Sequence, residues 1–391
     1  MPDFTKYQDV AQLLTEAQKA ENDNRLLVKE AHIFVTDKAG QWESDWWNKN
    51  DGKPRYTFDQ TSPVIDQIAG DIEGSDFDIQ IKPAGNDATK ELAELRDGMV
   101  RNIETISNAQ STYAMAGRNV ATAGLDHWLV KTDFVNDDSF DQDLIIEPIF
   151  NSGDRVWFDV GAQRQDRADS DYGFLLSAIP MAEYKERFPE GSGNSVSQGQ
   201  DFNVFFNKAE TIVIGHLYFR KLTDRELVKT SFGRVFENND EFKKIEDDLV
   251  KAGEIIVDRR TMKDSTFFVR LFDGSDWLEE EDETVFSTIP IVPVFGNYKV
   301  VENKPLYHGA VLKLMDAQRV FNYAKSREIE EGALAPRAKY WMTQKQAEGY
   351  EDELATLNTN NDPVQFYTAD GEVPPPAQQG GAQINPGLIA L

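Results

Sequence analysis

Residues 304–331 constrain this chain more than any other stretch, because they present two different faces at one helical period. After Pro305, the residues Ala310, Leu314, Ala317, Phe321 and Ala324 recur at steps of four, three, four and three, an apolar stripe expected to pack inward. A second face carries Gln318, Asn322, Ser326 and Glu330 at successive i+4 positions, a polar ladder on a well-filled helix. Such a ladder reads in two ways: it hydrogen-bonds a neighbouring copy or lines a wet channel, or it is a solvated helix face. Pro336 ends the helical region, and Arg337 and Lys339 follow.

The rest of the chain alternates between helical and strand-like periods. Residues 4–35 read as two amphipathic helices separated by the polar run Glu21-Asn22-Asp23-Asn24. A helix over 62–72 takes Ser62 as its N-cap and Pro63 at its first position. Alternation predicts a strand at 77–82, and a long helical tract is expected over 87–123, through Leu92, Leu95, Met99, Ile103 and Ile106. Strand patterns follow at 127–131, 144–149 and 156–159. The glycine- and serine-rich run 191–199 is expected to be a linker dividing the chain near residue 200. Beyond it, strands at 211–219, 255–257 and 266–272 and a charged helix at 241–252, closed by Gly253, outline a small β-rich insert. The acidic run 279–283 reads as a solvated loop, and the proline-rich tail 374–381 as linker.

Charge and missing motifs exclude much chemistry. The 391 residues are enough for two or three packed units; Lys and Arg number 41 against 68 Asp and Glu, a formal charge of −27. So acidic a surface repels phosphates, which excludes a protein that wraps DNA. Cysteine is absent, and with it disulfides, thiolate nucleophiles and Cys-containing metal sites. Residues 1–6 show no secretory signal, and the longest uncharged apolar stretch, 285–298, is short and broken by Pro290 and Pro293, so no membrane span is expected.

There is no phosphate-binding Gly-x-x-x-x-Gly-Lys-Ser/Thr loop and no Gly-x-Gly-x-x-Gly after a strand. His32, His127, His216 and His308 lie far apart in unlike contexts. The acidic turn 133–143 lacks the ligand spacing of a calcium loop and reads as solvated. No catalytic residue, cofactor or metal ligand is assigned, and an enzyme is not expected.

In their order along the chain, these features resemble the portal proteins of tailed bacteriophages, those of short-tailed phages in particular. The resemblance rests on Asn24-Arg25, Gly40-Gln41-Trp42, Arg55-Tyr56-Thr57-Phe58, residues 64–70, the helix over 87–106 and Val156-Trp157-Phe158-Asp159. Tyr307-His308-Gly309 then leads into Asp316-Ala317-Gln318-Arg319, Asn322, Ser326, Glu330 and Pro336-Arg337. It covers residues 4–367. Ala123-Gly124-Leu125-Asp126 stands where the resemblance leads one to expect a more glycine-rich turn.

The resemblance implies an α+β portal fold: a wing of helices and mixed sheet at 1–200 and a wing-to-stem connection at 201–240. A first stem helix and a β-rich clip follow at 241–305, a second stem or channel helix at 306–335, and a return to the wing with a Pro/Gly-rich tail at 336–391. The usual C-terminal crown or barrel is expected to be absent. The implied function is a homo-oligomeric ring, typically of twelve copies, at one capsid vertex of the virion, assembled in the host cytoplasm among capsid and scaffolding proteins. Terminase docks on such a ring and drives double-stranded DNA through it; tail adaptor proteins bind later, and the genome leaves by the same path. On this reading Gln318, Asn322, Ser326 and Glu330 line the channel or a subunit interface, and Lys313, Arg319 and Lys325 touch phosphate or a neighbour's carboxylate. Two other readings stand beside it: a tail adaptor or scaffold-like virion protein, and a carbohydrate-active enzyme built on Trp42, Trp46 and Trp47 beside Glu43 and Asp45. For those indoles a core or interface anchor is the preferred reading.

Overall fold

The computed structural model describes residues 4–43, 45–49, 52–75, 79–84, 88–136, 138–196, 211–302, 304–334, 339–356, 366–371 and 373–379. In chain order the helices are α1 (Tyr7–Thr36), α2 (Trp46–Lys49), α3 (Thr61–Glu73), α4 (Lys90–Ile106), α5 (Ala109–Thr122) and α6 (Ser152–Arg155), then α7 (Met181–Arg187), α8 (Asp240–Lys251), α9 (Val311–Leu334), α10 (Gln344–Ala347) and α11 (Glu351–Ala355). The strands are β1 (Leu125–Phe134), β2 (Gln142–Pro148), β3 (Val156–Phe158), β4 (Tyr172–Pro180), β5 (Thr211–Thr230), β6 (Val235–Glu237) and β7 (Ile256–Phe272). β8 (Asp282–Glu283), β9 (Ile291–Phe295), β10 (Lys299–Val301), β11 (Lys304–Leu306), β12 (Lys339–Trp341) and β13 (Ala377–Gln379) follow. This is an α+β chain, and it forms two compact units: Met1–His32 with Val64–Leu312, and Ile33–Pro63 with Lys313–Leu391.

In the first unit, an antiparallel sheet of order β3-β4-β5-β7-β8, with β6 added to β5, carries the main core. β4 is buried on both faces: Tyr172, Phe174 and Leu176 point to one side and Leu175 to the other. The first side meets Val10, Leu14 and Ala17 of α1 with Trp157, Leu217, Phe219 and Phe272; the second packs Val156, Phe158, Phe267 and Ile291. Gly215 faces Phe272 across the sheet, where a Cβ would come within 2.2 Å of the ring. A second sheet, of order β2-β1-β9, joins strands some 150 residues apart in sequence.

Several expectations change on contact with the fold. α1 is one helix, because the polar run at 21–24 interrupts the apolar pattern but not the backbone: Arg25 pairs with Glu21 one turn away. The tract 87–123 is two helices, broken where Asn108 takes the left-handed conformation (φ 48°). Residues 79–82 join no strand, and the Ile81 N–H donates to Asp97 Oδ1 at 3.2 Å; Phe77 and Asp78 lie outside the described residues. The strands foreseen at 255–257 and 266–272 are parts of the single 17-residue β7, and β5 runs eleven residues past the expected 219, so the two form a long ribbon.

Residues 191–196 are tied down rather than a linker. Asp273 accepts from the Ser192 N–H (3.0 Å) and hydroxyl (2.7 Å), and the Val196 N–H donates to Val213 O at 2.9 Å. Residues 197–199 lie outside the described residues. At the turn 123–126 a single glycine suffices: Gly124 supplies the positive φ (91°), and a Cβ there would collide with the His308 backbone. Among the described residues, no helix is long and apolar enough to cross a membrane.

Candidate functional site

Within the second unit, residues 54–60 run into α3 without joining a sheet, so their peptide groups need partners other than a strand. α9 supplies them. The Gln60 N–H donates to Gln318 Oε1 at 3.0 Å, and Gln318 Nε2 donates to the Phe58 carbonyl at 2.7 Å. The Phe58 N–H donates to Asn322 Oδ1 at 2.9 Å, and the Tyr56 N–H to Ser326 Oγ at 3.0 Å. The Ser326 hydroxyl returns a bond to the Tyr56 carbonyl at 3.2 Å. Rungs are also cross-linked, Gln318 Nε2 to Asn322 Oδ1 and Asn322 Nδ2 to Gln41 Oε1, both at 2.9 Å.

The spacing of the ladder follows from two rises. A helix climbs about 1.5 Å per residue, so four residues cover about 6.0 Å. An extended chain climbs about 3.3 Å per residue, so two residues cover about 6.6 Å. Side chains at i+4 on a helix therefore meet alternate peptide groups of an extended segment running antiparallel to it: 318 with 60, 322 with 58, 326 with 56. The next rung sets Glu330 against Pro54, which has no N–H to offer a carboxylate. There the zipper stops.

Gln318, Asn322 and Ser326 are buried, Asn322 completely, and committed to the chain's own backbone. Expected at a channel or subunit contact, these three bond the chain's own residues 56–60, because peptide groups opposite α9 that join no sheet need polar partners. The expected inward stripe changes with it: Ala317 is exposed, Leu314 and Phe321 are half-buried, and Met315 joins the ladder residues on the buried side. The other site residues lie elsewhere on α9. Glu330 is half-buried and Lys313 exposed. Arg319 lies 3.9 Å from Asp316 with its guanidinium 5.5 Å from the Phe34 ring, and Lys325 pairs with Glu328 at 2.9 Å.

The other side of residues 54–60 is fixed too. Trp42 Nε1 donates to Thr57 Oγ1 at 2.9 Å, and Asp59 accepts from the Thr61 and Ser62 N–H groups at the start of α3. Trp42 and Trp46 meet edge to face at 5.1 Å, each only 7% exposed, as anchors do; the side chain of Trp47 lies outside the described residues. Together with Val320 and Tyr323 the two indoles wall a groove of about 460 Å³.

A second polar centre lies inside the first unit, and sequence reasoning assigned it no role. Glu21 accepts from Arg25 (2.7 Å), the Tyr307 hydroxyl (3.2 Å) and Arg167 (3.5 Å). Arg25 also donates to the carbonyls of Gly153 and Val156, both at 2.9 Å, and lies 4.6 Å from the centre of the Trp157 ring. Asn24 Nδ2 donates to the Pro305 carbonyl at 2.8 Å. Burial alone lowers the Arg25 pKa, but Tyr307, Glu21 and Asp154 around it carry it upward. Burial, with Arg25 and Arg167 close by, holds His127 well below the usual histidine range and keeps it neutral. Among the described residues, no three His, Asp or Glu side chains are placed to hold a metal ion.

The two centres gather the motifs that the sequence scatters. Asn24-Arg25, Val156-Trp157 and Tyr307 meet in the first; Gln41-Trp42, Tyr56-Thr57-Phe58 and Gln318-Asn322-Ser326 meet in the second. A period of two opposite a period of four was the one signal in the sequence able to pair residues 56–60 with α9.

The sequence model of the phage P22-like portal protein family matches residues 11–391. The curated portal protein of Acyrthosiphon pisum secondary endosymbiont phage 1 is 24% identical over 309 residues, which cover 75% of this chain and 43% of that protein. The chain thus spans less than half the length of that relative.

Proposed function

The chain belongs to the phage P22-like portal protein family, and from that premise we propose that it forms a ring of about twelve subunits, the number its resemblance implies, at one capsid vertex. The observation that carries this reading is the family match over residues 11–391, which takes in both polar centres. The family is a structural one, and the chain acts as a passive channel. Terminase docks on the ring and drives double-stranded DNA through it, tail adaptors bind the filled head, and the genome leaves by the same route.

A formal charge of −27 suits such a wall: phosphates are repelled, so the duplex slides, whereas a basic wall holds DNA by counterion release. Residues 1–200 make the wing. α8 makes the first stem helix and α9 the second, and the β-rich stretch between them makes the clip that meets terminase or adaptor. With Gln318, Asn322 and Ser326 bonded within the chain, Lys313, Arg319, Lys325 and Glu330 are the α9 groups assigned to DNA or a neighbouring copy in the ring.

Negative-stain electron microscopy of the purified chain, with mass determination at several salt concentrations, tests the reading. Rings with a central hole are expected. A chain that stays monomeric in every condition, and without which DNA-filled heads still assemble, overturns it.

A further inference from the structure

The outward face of α9 carries its own order. Lys313, Asp316, Val320, Tyr323, Arg327 and Glu330 follow at steps of three, four, three, four and three, a seam on the side away from the three bonded rungs Gln318, Asn322 and Ser326, which it meets only at Glu330, where the ladder ends. Val320 and Tyr323, at its centre, are 57% and 46% exposed. Lys313, Asp316 and Arg327 are exposed as well, and Glu330 is half-buried. An apolar and aromatic centre with charged ends is the anatomy of an interface rather than of a solvated helix.

The charges decide the occupant. Read from the N-terminal end, the seam runs positive, negative, apolar, apolar, positive, negative. Laid against a second copy of itself in the antiparallel sense, it places Lys313 opposite Glu330, Asp316 opposite Arg327, and Val320 opposite Tyr323, and the same three pairs recur by symmetry. Laid parallel and in register, it sets every charge against its like. The seam is also locally neutral, with two charges of each sign, in a chain of net charge −27 whose copies otherwise repel.

We infer that the outward face of α9 is a two-fold docking surface for a second copy of this chain, with the two α9 helices antiparallel and crossing between Val320 and Tyr323. The seam covers 18 residues, whose 17 steps span about 26 Å of helix at about 1.5 Å per residue. Tyr323 of the second copy lies on Val320, beside the groove walled by Trp42 and Trp46. A contact of one helix face falls at the small end of specific interfaces, below about 1,200 Å², so pairs form at high concentration and exchange readily.

This inference does not rest on the ring. A closed ring joins two different surfaces of each copy, whereas a two-fold contact joins one surface to itself. The pair is a state of the free chain, separate from the assembled vertex.

Sedimentation velocity of the full chain over a wide concentration range is the test, since rings and pairs sediment apart and each population is read without the other. Tyr323→Asp is expected to weaken the pair at least about tenfold, as loss of a central aromatic does. Lys313→Glu turns two symmetric attractions into repulsions and is expected to weaken it about fivefold. Adding Glu330→Lys to Lys313→Glu restores both pairs and the wild-type constant, which antiparallel alignment alone predicts. A wild-type chain without pairs at any concentration, a Lys313→Glu variant that pairs unchanged, or a double variant that is not rescued overturns the inference. Unchanged melting temperatures of these variants confirm that folding is not what the experiment reads.

Discussion

The two polar centres solve the same problem, holding distant pieces of chain together, by opposite means. In the first unit, charges converge on one carboxylate: Glu21 serves two guanidinium groups and a phenol, and helix, strand and loop are pinned at a point. In the second, neutral side chains repeat along a line, and Gln318, Asn322 and Ser326 fix a length of backbone in register. A point of charge is strong while every partner is present and fails as a whole when its centre is removed. A repeated neutral ladder fails rung by rung and is indifferent to pH.

The sharpest break between them is expected from Glu21→Gln. It leaves Arg25 and Arg167 buried without their shared counter-charge, and breaking a buried pair in this way costs about 3–5 kcal/mol. Denaturant unfolding should show the loss in the first unit. Asn322→Leu is expected to cost about 2–4 kcal/mol, because the Phe58 N–H and the amides of Gln41 and Gln318 lose a partner in a buried place. Fluorescence of Trp42 and Trp46 reports that change in the second unit.

Acid separates the two further. All four histidines lie in the first unit. Burial, with Arg187 and Arg155 nearby, lowers His216 from 6.5 to about 4, so the unfolded chain takes the proton first. Stability is full above pH 6.5 and falls by about 1.4 kcal/mol per pH unit for this group as pH drops toward 4. His127 adds a loss of the same sign. An acid titration should weaken the first unit before the second, and simultaneous weakening would count against the comparison. At the small end, Ser326→Ala removes one rung and costs about 1 kcal/mol, while Lys325→Ala, which removes a half-exposed pair with Glu328, changes the melting curve by less than about 0.5 kcal/mol.

Much of the local structure was legible in the sequence. The strands β1, β2 and β3, the helix α8 with its closing Gly253, and α9 all announce themselves through period and punctuation. What failed was decided by distant partners. The polar run at 21–24 looked like a break because its partners, Pro305, Tyr307 and Arg167, are more than 140 residues away. The ladder on α9 was visible as a pattern, but its direction was not: the peptide groups it satisfies lie some 260 residues earlier, and from the helix alone an amide facing a backbone looks like one facing water.

The match between helix and extended segment is that of a vernier, two scales of slightly different division that coincide only over a short run. Each rung adds a mismatch of about 0.6 Å, so agreement holds for three rungs and fades after four. Such a device tolerates substitution more readily than a change of length. Removing one residue between Tyr56 and Gln60 turns the alternate peptide groups away from α9 and brings Thr57 or Asp59 to face it, whereas removing two restores the alternation. Related chains should therefore vary this segment in letters but gain or lose residues in it only by twos.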